Sequence, residues 1–132
     1  MEDYRWNGQD VGMRVLVCGD RNWKNVNIIE RELRKLPAHT MVIHGAARGA
    51  DTLGKFVAER IGFKVINDGK GFPADWKRYG KGAGPIRNQQ MLDEGKPDMV
   101  LAFHENINNS RGTKDMVERA RKAGLKVIII DR

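Results

Sequence analysis

The chain holds a single cysteine, Cys18, in 132 residues, which excludes an internal disulfide. No Cys/His cluster has the spacing of a zinc site, and no motif for a resident metal or cofactor is present. A reducing cytoplasm is the expected setting. No apolar run approaches the length of a membrane span, and the opening segment Met1–Gly12 is polar, without the apolar stretch of a signal peptide, so no membrane role is expected. Neither the G-x-G-x-x-G nor the Walker pattern occurs, no run of basic residues or RNA-binding signature is seen, and internal repeats and low-complexity segments are lacking.

What is present is positive charge. Against 17 Asp+Glu stand 24 Lys+Arg, a formal net charge of +7, which favours polyanions or phosphorylated small molecules. The basic residues are interleaved with acids, so small anions are the better expectation than general nucleic-acid binding. The length suits one domain, residues 13–132, after a short tail over residues 1–12.

Apolar runs and helical spacings alternate along the chain. Met13 to Cys18, Thr40 to Ile43, Phe63 to Ile66, Met99 to Phe103 and Leu125 to Ile130 read as strands. Val26 to Leu36, the segment with Leu53, Val57 and Ile61, the segment opened by Pro85, and the segment with Met116, Val117 and Ala120 read as helices. Continuously apolar strands imply a mainly parallel sheet covered on both faces. The expected fold is therefore α/β, a single Rossmann-like doubly wound domain of about five strands. In such sheets a ligand sits outside the carboxyl ends of the strands, where four loops gather.

The first loop, GDRNWKN, offers Gly19, Arg21 and Trp23: a guanidinium for phosphate, and an indole that either stacks on a base or covers the sheet edge. The second, HGAARGAD at 44–51, joins a strand to a helix N-terminus with small residues. Gly45, Ala47 and Gly49 leave backbone N–H groups uncovered where the helix dipole is positive, and Arg48 adds charge, so an anion is expected there. Asp51 in the first helical turn is expected to cap, with catalysis as the alternative; His44 either bonds a ribose or phosphate oxygen or is satisfied by backbone. The third loop, from Asn67 to Gly84, sets Phe72, Trp76 and Tyr79 among Lys70, Lys77, Arg78 and Lys81, a mixture suited to a nucleotide-derived ligand or to single-stranded nucleic acid. Arg87 and Asn88 follow in the first turn of the next helix. The fourth loop ends in Ser110, Arg111, Gly112 and Thr113, a second small, hydroxyl-bearing helix start, where Ser110 serves as an N-cap or as a ligand contact.

Taken together, GDRNW at 19–23, HGAARGAD at 44–51, FPADW at 72–76 with GPIRNQQM at 84–91, and SRGT at 110–113 resemble the SLOG superfamily, related to LOG and DprA, and most closely its small YspA/YpsA-like branch. The resemblance spans nearly everything from Met13 to Ile130. It implies a Rossmann-like domain that binds nucleotides or nucleotide-derived ligands. The LOG branch cleaves N-glycosidic bonds with a P-G-G-x-G-T-x-x-E motif and a helical arginine. Arg87 matches that arginine, while Gly112-Thr113 matches only the end of the glycine motif and places Met116 where the glutamate belongs. Asp115 lies one residue early, turned by about 100° on a helix.

The expected function is binding of a nucleotide or nucleotide-derived ligand, as a sensor or sequestering module, with Mg²⁺ arriving only alongside a phosphorylated ligand and with homo-oligomers as in related SLOG proteins. The alternatives are a nucleotide N-glycosidase, in which Arg87 offsets developing charge and Asp51 or Asp75 supports the sugar or positions water, and a single-stranded DNA-binding protein.

Overall fold

The computed structural model describes residues 12–131; of the expected tail, residues 1–11 lie outside them. Five parallel strands, β1 (Arg14–Gly19), β2 (Met41–Ile43), β3 (Lys64–Val65), β4 (Met99–Phe103) and β5 (Lys126–Ile130), form one sheet in the order β3-β2-β1-β4-β5. The helices are α1 (Val26–Leu33), α2 (Ala50–Arg60), the single turn α3 (Trp76–Tyr79), α4 (Ala83–Gln90) and α5 (Arg111–Lys122). The fold is the expected α/β Rossmann-like one, and the strand order reverses between β1 and β4.

Alternation along the strands builds two cores. Val15 and Val17 of β1, with Leu101 and Phe103 of β4, pack beneath Ile29 and Leu33 of α1 and Val57 and Ala58 of α2. Leu16, Cys18, Val100 and Ala102 point to the other face, against Met91 and against Met116, Val117 and Ala120 of α5. The strands therefore read as continuously apolar because both their faces are buried. β1 sits at the centre of the sheet, its interior four residues Val15, Leu16, Val17 and Cys18 all buried between β2 and β4, and all five residues of β4 are buried as well.

β1, β2 and β5 each start one residue later than expected, and three further boundaries differ. β3 is only two residues long, because the Phe63 N–H bonds back to the Ala58 carbonyl and closes α2 instead of joining the sheet. α1 stops at Leu33, and the N–H groups of Lys35 and Leu36 bond the carbonyls of Glu32 and Leu33 in a tighter turn leading to Pro37. Pro85 occupies the third position of α4 rather than its start, still within the first turn where a missing N–H removes no helical bond. The long third loop is folded: a turn over Asn67–Gly69, α3, and a turn over Gly80–Gly82 fill it.

Candidate functional site

Gly49 fastens the first two loops together. With φ at +74°, its α-carbon lies so close to the first loop that a Cβ would sit 2.3 Å from the Asp20 carbonyl oxygen, and the neighbouring Ala50 N–H donates to that same oxygen at 3.1 Å. Gly19 makes the corresponding approach to β4, where a Cβ would meet the Phe103 carbonyl oxygen at 2.2 Å. The carboxyl-end rim is thus built from backbone contacts that only glycine permits.

Around this junction the candidate residues divide into two groups. On the α4/α5 side, the second loop has turned its donors inward. The Gly45 N–H donates to Asp51 Oδ2 at 2.8 Å, and the N–H groups of Ala47 and of Asp51 itself also favour that carboxylate. The anion expected in this cradle is therefore the chain's own side chain. Asp51 is 4% exposed, and in the first turn of α2 its carboxylate takes its own N–H, while the N-cap Gly49 has no side chain to offer. Burial pushes its carboxyl up to about 6, against the pull of the Gly45 N–H and of the Arg87 guanidinium.

Arg87 is held from three directions. Its Nη1 donates to the carbonyls of Gly45 and, at 3.4 Å, of Phe72, while Nε donates to Asn88 Oδ1 at 3.0 Å. Burial pushes the guanidinium down and Asp51 pushes it up. Asn88 is buried and reaches onward, donating through Nδ2 to Asp115 Oδ2 at 2.9 Å and to the Gly112 carbonyl at 3.3 Å. Asp115 also accepts from Arg119 Nε at 2.8 Å, and Arg119 Nη1 returns to Gln89 Oε1 at 2.9 Å, which closes a polar ring between α4 and α5. Sequence reasoning sets Asp115 aside. Its i,i+4 spacing to Arg119 is the available signal, but the partner across the helices, Asn88, is not readable from spacing. Met116, at the position of the family glutamate, is buried in the core beneath α5.

The remaining candidates take more structural positions than expected. His44 is buried with both ring nitrogens engaged: Nδ1 accepts from the Ala46 N–H at 3.0 Å, so Nε2 carries the proton it shares with the Gly69 carbonyl at 2.9 Å. Neither nitrogen is left for a ribose or phosphate oxygen. Burial depresses its pKa, although the bond to Gly69 opposes this. Trp23 is a core residue, its ring 5.7 Å from that of Phe103 and its Nε1–H donated to the Asn25 carbonyl, so it offers an edge and not a stacking face. Asp75 is exposed and caps α3, accepting from the Arg78 N–H at 3.1 Å. Ser110 caps α5 by accepting from the Thr113 N–H at 3.0 Å; Thr113 is buried, while Arg111 and Gly112 stay exposed. Trp76 is 58% exposed. Cys18 lies beneath Asp51 and Arg87, and burial pushes its thiol up, so it is an inert apolar neighbour.

On the α1/α2 side lies the second group. A cleft of about 370 Å³ opens between the β1–α1 loop and the start of α2, rimmed by Arg21, Lys24 and Arg48 and floored by Leu53 and the edge of Trp23. Among the described residues, no group of three or more His, Cys, Asp or Glu side chains is placed to hold a metal ion, and no helix is long and apolar enough to cross a membrane.

Comparison with known proteins agrees with this architecture. The chain is 36% identical over 124 residues to the Gene 61 protein of Mycobacterium phage D29, an alignment covering 87% of this chain and 94% of the phage protein. The solved structure of DNA processing protein A from Streptococcus pneumoniae superposes with a TM-score of 0.72 at 20% identity, over 92% of this chain. That likeness is one of fold, and the chain spans 51% of that larger protein. A family model described as the YspA, cpYpsA-related SLOG family matches residues 13–79, and with the phage relative it establishes that the chain belongs to this family.

Proposed function

We propose that the domain binds a nucleotide or nucleotide-derived ligand at the carboxyl-end rim, in the crevice beside Arg87, and acts as a sensor or sequestering module. The observation that carries this reading is the fixation of Arg87. Two segments distant in sequence, at Gly45 and Phe72, and the adjacent Asn88 orient one guanidinium, and its Nη2 has no hydrogen-bond partner among the described residues. Such preorganisation lowers the entropy cost of gripping a phosphate oxygen. The exposed start of α5 at Arg111–Gly112 and the exposed indole of Trp76 supply further anion and stacking contacts.

One observation favours N-glycoside hydrolysis as a second reading. Asp51 is a buried carboxyl raised to about 6 beside an arginine, the profile of a group placed for proton transfer. The binding reading is preferred because that carboxylate is already engaged by backbone N–H groups and nine-tenths or more enclosed, while Met116 supplies no carboxylate.

A panel of nucleoside monophosphates, cyclic nucleotides and ADP-ribose-type compounds, followed for both binding and release of free base, tests the two readings. Saturable binding of an intact ligand, weakened at least about tenfold by Arg87→Ala with circular dichroism unchanged, supports binding. Base release that Arg87→Ala and Asp51→Asn both abolish would replace it with hydrolysis. If the panel does not bind at millimolar concentration while oligonucleotides bind with a steep salt dependence, single-stranded DNA becomes the ligand.

A further inference from the structure

The cleft on the α1/α2 side is rimmed by three cations, Arg21, Lys24 and Arg48, and no acidic side chain lines it. None of the three belongs to an ion pair among the described residues. Five other cations do pair: Arg31 and Lys35 with Glu32, Arg34 and Arg60 with Glu30, Arg119 with Asp115. The segments that carry Arg21 and Arg48 are also locked to each other, since a Cβ on Gly49 would lie 2.4 Å from the Arg21 carbonyl carbon. The backbones that carry the two arginines are therefore held together at the mouth of one cleft, and an anion between the side chains would offset their repulsion.

The lining selects among anions. A single phosphate carries a charge of about −2 and matches two cations, whereas a diphosphate group matches three. Leu53 and the edge of Trp23 give the cleft an apolar floor, and its size of about 370 Å³ exceeds what inorganic phosphate fills. We propose that this cleft is an anion site in its own right, which takes the diphosphate group of a small organic molecule and seats an apolar portion of it on Leu53 and Trp23. Trp23 and Leu53 pack with the core under α1 and α2, whereas Phe72 and Cys18, the neighbours of Arg87, belong to the core on the other face. The site is therefore independent of the Arg87 crevice and stands whether or not that crevice binds a nucleotide.

Calorimetric titration with inorganic pyrophosphate, orthophosphate and adenosine diphosphate, without Mg²⁺, tests the site in the wild-type chain and in Arg21→Ala, Arg48→Ala, Arg48→Lys and Arg87→Ala. Arg21 and Arg48 are both exposed, and neither side chain is part of the core, so their variants keep the fold. The expected result is saturable pyrophosphate binding, tighter than orthophosphate and weakened at least about tenfold by Arg21→Ala or Arg48→Ala, less by Arg48→Lys, and unchanged in Arg87→Ala. Adenosine diphosphate binds more tightly than pyrophosphate, and pyrophosphate shifts the indole N–H resonance of Trp23, assigned by its loss in Trp23→Phe. Absence of saturable binding at millimolar pyrophosphate overturns the proposal. So does binding that only Arg87→Ala abolishes, or binding that leaves the Trp23 resonance in place.

Discussion

A carboxyl group buried beside its own backbone sets the pH behaviour of this domain at the level of single residues. The carboxyl of Asp51 is raised from 3.8 to about 6 on folding, so its protonated form is the better buried one. The stability it contributes is fully present below 3.8 and is lost as pH rises through about 6, a swing of about 3 kcal/mol. Asp51→Asn removes that dependence. Thermal denaturation from about pH 8 to about pH 5 should show the wild type gaining on the variant as pH falls, and a constant gap between the two would contradict the assignment. His44 works in the opposite sense: its folded pKa lies below 6.5, so the stability of its neutral form holds above that value and is lost on acidification. Removing its ring in His44→Ala strands the Ala46 N–H and the Gly69 carbonyl and should cost about 2–4 kcal/mol in urea unfolding. At this scale the sequence is legible in residue type and misleading in role. Asp51 reads as a cap with catalysis as the alternative and Asp75 as a catalytic candidate; Asp75 caps α3, while Asp51 is buried and takes the Gly45 N–H, a partner that spacing does not reveal.

Helices and strands carry their own tests. The start of α5 depends on Ser110, and Ser110→Ala should lower stability by about 1 kcal/mol without altering the sheet. The join between α4 and α5 depends on Asn88, whose amide ties Arg87 to Asp115 and Gly112. Glycine positions separate strain from collision. Gly124 has φ at +81° with nothing within 4 Å of the place a Cβ would take, so Gly124→Ala should cost only about 1–2 kcal/mol, whereas Gly49→Ala meets the Asp20 carbonyl and should cost several times more in the same urea titration. Elements are the most legible level of the sequence, since apolar runs and the 3.6 period survive into every strand and helix longer than a turn. The ends are less so: β3 is shortened and α1 stops early because single N–H groups bond carbonyls in their own neighbourhood.

Across the whole molecule the sheet separates work by face. Its strand order opens between β1 and β4, and the loops of the two halves meet at one rim. The alternation of strands and helices points to that rim, but it gathers all candidate residues into one crevice. Spacing along a chain says which residues reach the carboxyl ends and not on which side of the sheet they emerge; Arg21 and Arg48 come out over α1 and α2, Arg87 over α4. Around the cleft stand Arg21, Lys24 and Arg48, with no acidic side chain in its lining. Anion association should consequently slow as salt is raised, and stopped-flow measurement in Arg48→Ala should show a shallower salt dependence than in the wild type.

Asp51 is joined covalently to the loop whose N–H groups it occupies, so it competes with any incoming anion at the effective molarity of an intramolecular reactant. No free phosphate in solution reaches such a concentration. On the proposed binding reading, a guest for that cradle would have to arrive as a neutral hydroxyl-bearing group that shares the carboxylate, or bring enough contacts elsewhere to lever the loop open, so that this resident competitor would filter ligands before affinity is counted.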